Sequence, residues 1–223
     1  MSYGATFPLL RAAAGAHWPA YIDHTFVLGL GDGSLPRAAY LRYLAQDYLF
    51  LIQYSRVWAL AVTKADTLAD MRACTAIVQA LSETEIHLHV QTCVAEGISE
   101  VDLFAAQEAL ETIAYTRFVL DAGHSGDILD LLVAVVPCAL GYGEIGGRLG
   151  AAPHASAYCD WIESYASHGY QEMCRAVGGM VDRAVAQRLG SNPVAHPRWP
   201  GLCKRFVTAT RLEAAFWKMG LNT

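Results

Sequence analysis

Apolar residues recur at spacings of three and four along most of the chain, and no alternating stretch long enough for a convincing strand interrupts them. The periodicity predicts a first helix over roughly 5–29, ending before the turn Gly31-Asp32-Gly33-Ser34. Pro36 opens a second helix in its first turn, where a missing N–H costs little, and that helix runs to about Lys64. A third is expected over roughly 67–95, stopping at Gly97, and a fourth over roughly 101–122, stopping at Gly123. A fifth covers roughly 126–149, with Gly150 and Pro153 beyond it, and a sixth about 155–170. The remainder, to 219, reads as two helices broken at Gly190 to Pro200. The expectation is an all-α single domain over 1–223, without linker, repeat or low-complexity segment, packed as a bundle of seven to eight helices.

Three places depart from plain amphipathic patterning. In the second helix Asp47 shares a face with Tyr43, Leu44, Phe50, Leu51, Tyr54 and Trp58. A carboxylate on such a face must be paired or functional, because burying an unpaired charge is unfavourable. It is either a core Asp bonded to a tyrosine or histidine of another helix, or a ligand-facing group in an aromatic-lined pocket. In the fifth helix Pro137 interrupts the hydrogen bond to the carbonyl of Val133 and predicts a kink. Cys138 follows it, with Tyr142 one turn on. A cysteine is commonly a small buried hydrophobe, and to act as a nucleophile it needs a neighbour that removes its proton. Gly141, Gly143, Gly146 and Gly147 on the same helix let another backbone come close. Near the end, Glu213 precedes Phe216 and Trp217 by three and four, repeating the acid-then-aromatic arrangement of Asp47 and Phe50. Two carboxylates, a thiol and several tyrosines on inward faces suit attack by sulfur, acid help for a leaving group and recognition of a nitrogenous ring.

Composition narrows the class. The chain is 54% hydrophobic and 17% charged, with mean hydropathy +0.25. That is more apolar surface than one core needs, and it points to a buried subunit interface. The net charge is −5 and no Lys/Arg run exceeds two residues, so no nucleic-acid footprint is present. The N-terminal segment lacks the basic-then-apolar pattern of a secretory signal. The longest apolar run, 128–142, contains Asp130 and Pro137 and is too short to span a membrane. The six cysteines are scattered without a CxxC pair, which fits a reduced, cytoplasmic protein rather than a disulfide frame or a zinc site.

Six segments, in order, resemble the TenA family, also called thiaminase II: HTFVLGLGDGSLP (24–36), YLRYLAQDYLFLIQYSRVWALAVTKA (40–65), AYTRFVL (114–120), LLVAVVPCALGYGEIGGRL (131–149), YCDWIESYAS (158–167) and RLEAAFWKMGL (211–221). The resemblance implies a haem-oxygenase-like helical fold and a homotetramer. It implies hydrolysis at the methylene carbon of a 4-amino-2-methylpyrimidine, without metal or organic cofactor. The salvage substrate would be 4-amino-5-aminomethyl-2-methylpyrimidine, giving the hydroxymethyl compound and ammonia, and the same site can cleave thiamine to that pyrimidine and the thiazole alcohol. By the same resemblance Cys138 looks like the nucleophile, Glu213 like the acid that protonates the leaving group, and Asp47 like the group that holds the aminopyrimidine. Tyr115, Tyr142, Tyr165 and Phe216 look like pocket wall, with Phe50 beneath. A carboxylate at Asp47 could then accept two parallel hydrogen bonds from an aminopyrimidine edge whose ring nitrogen is protonated. The chain carries Phe50 where some members carry a tyrosine whose hydroxyl could assist the thiol, and Tyr48 points about 200° away around the helix. Cys138 places the chain in the Cys-bearing branch.

Other readings have a footing. In SETEIHLH, Glu83 and His87, and Glu85 and His89, stand four apart, which would serve as half of a metal site or as ordinary pairs on a polar stretch. The second is favoured. His24 could ligate haem on the first helix, but the family resemblance makes it structural. Members of the family have been labelled transcription regulators, yet no helix here is basic enough to read DNA.

Overall fold

A computed structural model describes residues 2–151 and 157–222. They fold into α1 (Thr6–Ala14), α2 (His17–Ile22), α3 (Thr25–Asp32), α4 (Arg37–Lys64), α5 (Leu68–Ala80), a π turn (Leu81–Glu85), α6 (Ile86–Ala95), α7 (Glu100–Ala105), α8 (Leu110–Ser125), α9 (Ile128–Gly150), α10 (Cys159–Ala166), α11 (His168–Leu189), a 3₁₀ turn (Pro193–Ala195) and α12 (Trp199–Leu221). No strand occurs among the described residues. The all-α expectation holds, but the seven or eight helices are divided further.

The extra divisions have identifiable causes. The expected helix 5–29 is three. Gly15 leaves α1 at φ 51, and the His24 ring caps α3 by accepting from the Phe26 N–H at 3.2 Å. The expected helix 101–122 breaks between α7 and α8 because Gln46 of α4 supplies the hydrogen bonds a helix would have made. Its Nε2 donates to the Gln107 carbonyl at 3.0 Å, and its Oε1 accepts from the Ala109 N–H at 2.8 Å and the Thr112 hydroxyl at 2.7 Å. The expected helix 155–170 starts at residues outside those described, and it ends early where Ser167 caps α11 through the Tyr170 N–H. Pro153, expected as a stop signal, also lies outside the described residues.

The core is built round α9, which packs against α8, α10, α11 and α12. At 23 residues α9 is long and apolar enough to cross a membrane, but 89% of its most apolar stretch is buried by its neighbours. It continues through Pro137 as one helix. Three tyrosines donate to carbonyls around the proline: Tyr54 to Val135 at 3.0 Å, Tyr21 to Pro137 at 3.2 Å and Tyr170 to Ala139 at 3.2 Å. They brace a backbone that the missing N–H has weakened. About two turns on, Gly146 admits α10, for a Cβ there would stand 2.6 Å from the Tyr165 carbonyl carbon. That approach sets the Tyr165 ring beside Tyr142, with centroids 5.0 Å apart.

Candidate active site

The Asp47 face of α4 is buried as its spacing requires: Tyr43, Leu44, Phe50, Leu51, Tyr54 and Trp58 are all in the core. Asp47 is itself 3% exposed and is paired. Its Oδ2 accepts from the Tyr43 hydroxyl at 2.9 Å and faces His89 Nε2 at 2.7 Å. The pairing read as one alternative from the sequence is present, and Asp47 also lines a chamber of about 30 Å³ with Tyr54, Glu85, Cys138, Tyr142 and Tyr170. Two parallel bonds, one to each oxygen, would ask Oδ2 to take a third donor, so Oδ1 is the oxygen with room for a ligand.

Cys138 is partly buried and lines the chamber. Burial pushes its thiol well above the ordinary value; the Glu213, Glu85 and Asp47 carboxylates add to this, and a hydrogen bond with Tyr54 opposes it. Glu213, 1% exposed, lies behind Cys138 and accepts from the Tyr115 hydroxyl at 2.6 Å. Burial raises it to about 8, against the opposing hydrogen bonds of Tyr115 and Cys138. A carboxyl at that value is largely protonated at neutral pH and can still exchange its proton there.

The structure brings seven of the eight expected residues together in two tiers, with Tyr165 beside them. Asp47, Cys138 and Tyr142 line the chamber. Glu213, Tyr115, Phe50 and Phe216 form the layer behind the thiol, with the Phe50 ring 4.9 Å from Tyr115 and 5.7 Å from Phe216. Tyr165 borders an adjoining cavity of about 360 Å³ shared with Glu85 and His89.

Sequence reasoning missed Glu85 and His89, taken as an ordinary polar pair. Glu85 accepts from the Tyr165 hydroxyl at 2.5 Å, and burial and the Asp47 charge push its carboxyl up. The signal was a run of inward positions four apart: Ile77, Leu81, Glu85, His89 and Cys93. An α-helix overshoots by about 40° for every four residues, and the π turn, with its Ile86 N–H bonded to the Leu81 carbonyl, slows the rotation enough to keep these positions inside. Glu83 and His87 are left outside, bonded to Gln79 and Gln91. Among the described residues no group of three or more His, Cys, Asp or Glu side chains is arranged to hold a metal ion.

The chain is similar to known proteins along nearly its whole length. Residues 11–223 match the TENA/THI-4/PQQC family. The chain is 37% identical to an aminopyrimidine aminohydrolase of Halalkalibacterium halodurans, covering 100% of this chain and 96% of that one. It is 31% identical to an aminopyrimidine aminohydrolase of Helicobacter pylori, covering 92% and 94%. The crystal structure of a TenA family transcription regulator from Silicibacter sp. TM1040 superposes with a TM-score of 0.96 at 52% identity, covering 99% of this chain and 98% of that one.

Proposed function

Because the chain belongs to the TENA/THI-4/PQQC family, we propose that it is a hydrolase of thiamine salvage that converts 4-amino-5-aminomethyl-2-methylpyrimidine to the hydroxymethyl compound and ammonia. One observation carries the reading: a thiol that lines a buried, tyrosine-lined chamber beside a paired aspartate is backed by a carboxyl raised to about 8. Asp47 accepts the exocyclic amine through Oδ1, and Tyr142 and Tyr165 wall the ring. Cys138 Sγ bonds to an electron-poor ring carbon, and its proton passes to Glu213 as Glu213 gives its own proton to the departing nitrogen. The C–N bond breaks with its electron pair on nitrogen, and ammonia leaves. Water then adds to the exocyclic methylene, the S–C bond breaks, and the proton released by water restores the thiol. The resting chamber has room for about two waters, so the ring enters by widening it towards an adjoining cavity of about 280 Å³ that shares Leu81, Glu85, Tyr170 and Met173.

Purified protein without added metal tests the reading directly. Ammonia release from the aminomethyl pyrimidine is expected with a higher kcat/KM than thiamine cleavage, because no Gly-rich phosphate loop or dedicated thiazolium site is present in the sequence. No ammonia release would sink it, and thiamine faster by tenfold or more would replace salvage with thiamine degradation. The description of the Silicibacter protein as a regulator supports a second reading, which specific DNA binding without turnover would favour. The assembly we propose is a cytoplasmic homotetramer; Val101, Phe104 and Leu110, exposed at 77%, 70% and 80%, support an interface.

A further inference from the structure

The hydrogen bonds that reach Asp47 have a direction fixed from both ends. At one end the Trp161 indole, which only donates, gives its Nε1–H to the Tyr43 oxygen at 3.3 Å. Tyr43 then has one proton to give. Asp47 Oδ2 is its nearer acceptor at 2.9 Å, the Tyr142 oxygen being 3.5 Å away. At the other end His89 Nδ1 lies 2.9 Å from the Glu85 main-chain carbonyl, which only accepts, so Nδ1 carries a proton. His89 Nε2 lies 2.7 Å from Asp47 Oδ2. Two chains of donors thus converge on one oxygen.

We propose that His89 is a positioning residue, held as the doubly protonated imidazolium, which pins Asp47 Oδ2 so that Oδ1 is offered to the ligand. The ligand rests on the function proposed above; the charge of His89 does not. The charged groups facing His89 are the carboxylates of Asp47 from α4 and Glu85 from the π turn. Tyr43 of α4, its ring 6.4 Å away, and Trp161 and Tyr165 of α10 are its uncharged neighbours. Arg37, on the same cavity, is paired with Glu96. Burial alone would lower the pKa of His89, but the Asp47 hydrogen bond and charge, with Glu85, outweigh it and raise it.

The test uses the full chain with ¹⁵N-labelled histidine. At pH 8 an ordinary histidine is only about 3% charged, whereas His89, identified by the signals that change in Asp47→Asn, should show both ring nitrogens protonated. In Asp47→Asn those signals should become those of a neutral ring. A neutral tautomer in the wild-type chain at pH 8 overturns the proposal, and this arm needs no folded His89 variant. In calorimetry His89→Gln should weaken binding of the hydroxymethyl pyrimidine at least tenfold. The double variant with Asp47→Asn should bind no more than about twofold more weakly than Asp47→Asn alone. Losses that multiply would make His89 a separate structural support and overturn its action through Asp47. If the wild-type chain binds no pyrimidine, the proposed function and the ligand assigned to Oδ1 fall together, while the spectra still decide the charge of His89.

Discussion

Replacing Glu213 with glutamine should stabilise the protein above mild acidity while slowing its chemistry. Glutamine copies the shape of the protonated acid and keeps an oxygen to accept the Tyr115 hydroxyl. The wild-type carboxyl is raised from 4.5 to about 8 in the folded chain. Below pH 4.5 both states are protonated and the group does not affect stability. As pH rises past 4.5 the unfolded chain releases this proton first, so stability falls by about 1.4 kcal/mol per unit until the folded group ionises near 8. The loss is about 3 kcal/mol at pH 7 and about 5 kcal/mol at pH 9. Glutamine does not titrate, and the other shifted groups cancel in the difference between the two proteins. Urea denaturation at equal protein concentration should therefore give similar stabilities at pH 5, with the variant ahead by about 3 kcal/mol at pH 7 and about 5 kcal/mol at pH 9. Turnover should fall much more than affinity for the pyrimidine product. A stability difference that stays constant from pH 5 to 9 would show that Glu213 ionises as an ordinary carboxylate and would remove the physical basis for its acid role.

Cys138→Ser should lose most hydrolysis while staying folded, and Cys74→Ser should not; near-normal turnover by Cys138→Ser would end the nucleophile assignment. Asp47→Asn keeps shape without charge and should lose both product affinity in calorimetry and turnover, and full affinity would contradict its role in holding the ring. Gly178→Ala would place a Cβ 2.0 Å from the Tyr3 carbonyl oxygen. It should lower stability by about 1–3 kcal/mol, whereas Gly169→Ala, with nothing within 4 Å, should not lower it; equal melting temperatures for the two variants would refute the close approach.

Parts of this were readable because one periodicity governed them. The α4 face around Asp47 follows from spacing along a single helix, and its burial is what the pattern requires. The positions of Cys138 and Glu213 beside it came from family resemblance, since nothing local says that α9 and α12 meet α4 there. The helix breaks were hidden for a different reason. Gln46 ends one helical run from a distance by bonding to Gln107 and Ala109, and no window of sequence contains both partners. His24 looked like a structural histidine and is one, but the division it makes depends on its ring capping α3. Pro137 suggested a kink within one helix, and tyrosines from three other helices, out of sight of the local sequence, brace the backbone around it. Glu85 and His89 escaped because a four-residue repeat drifts off any face of an ideal helix, and only the π turn holds it in place.

That turn makes the site depend on chain length as well as on side-chain identity. Were the run Leu81–Glu85 to close into ordinary α-helix at the same chain length, everything after it would swing by about 100° relative to α5. The imidazole would leave Asp47 and Cys93 would leave the core, although every residue that touches the chamber were kept. Losing one of the exposed residues Ser82, Glu83 or Thr84 as the turn closes removes about the same rotation and returns α6 to its phase. A search for relatives that share this chemistry should therefore weigh a one-residue gap at this turn less heavily than the same gap within α6 or a substitution of His89 itself.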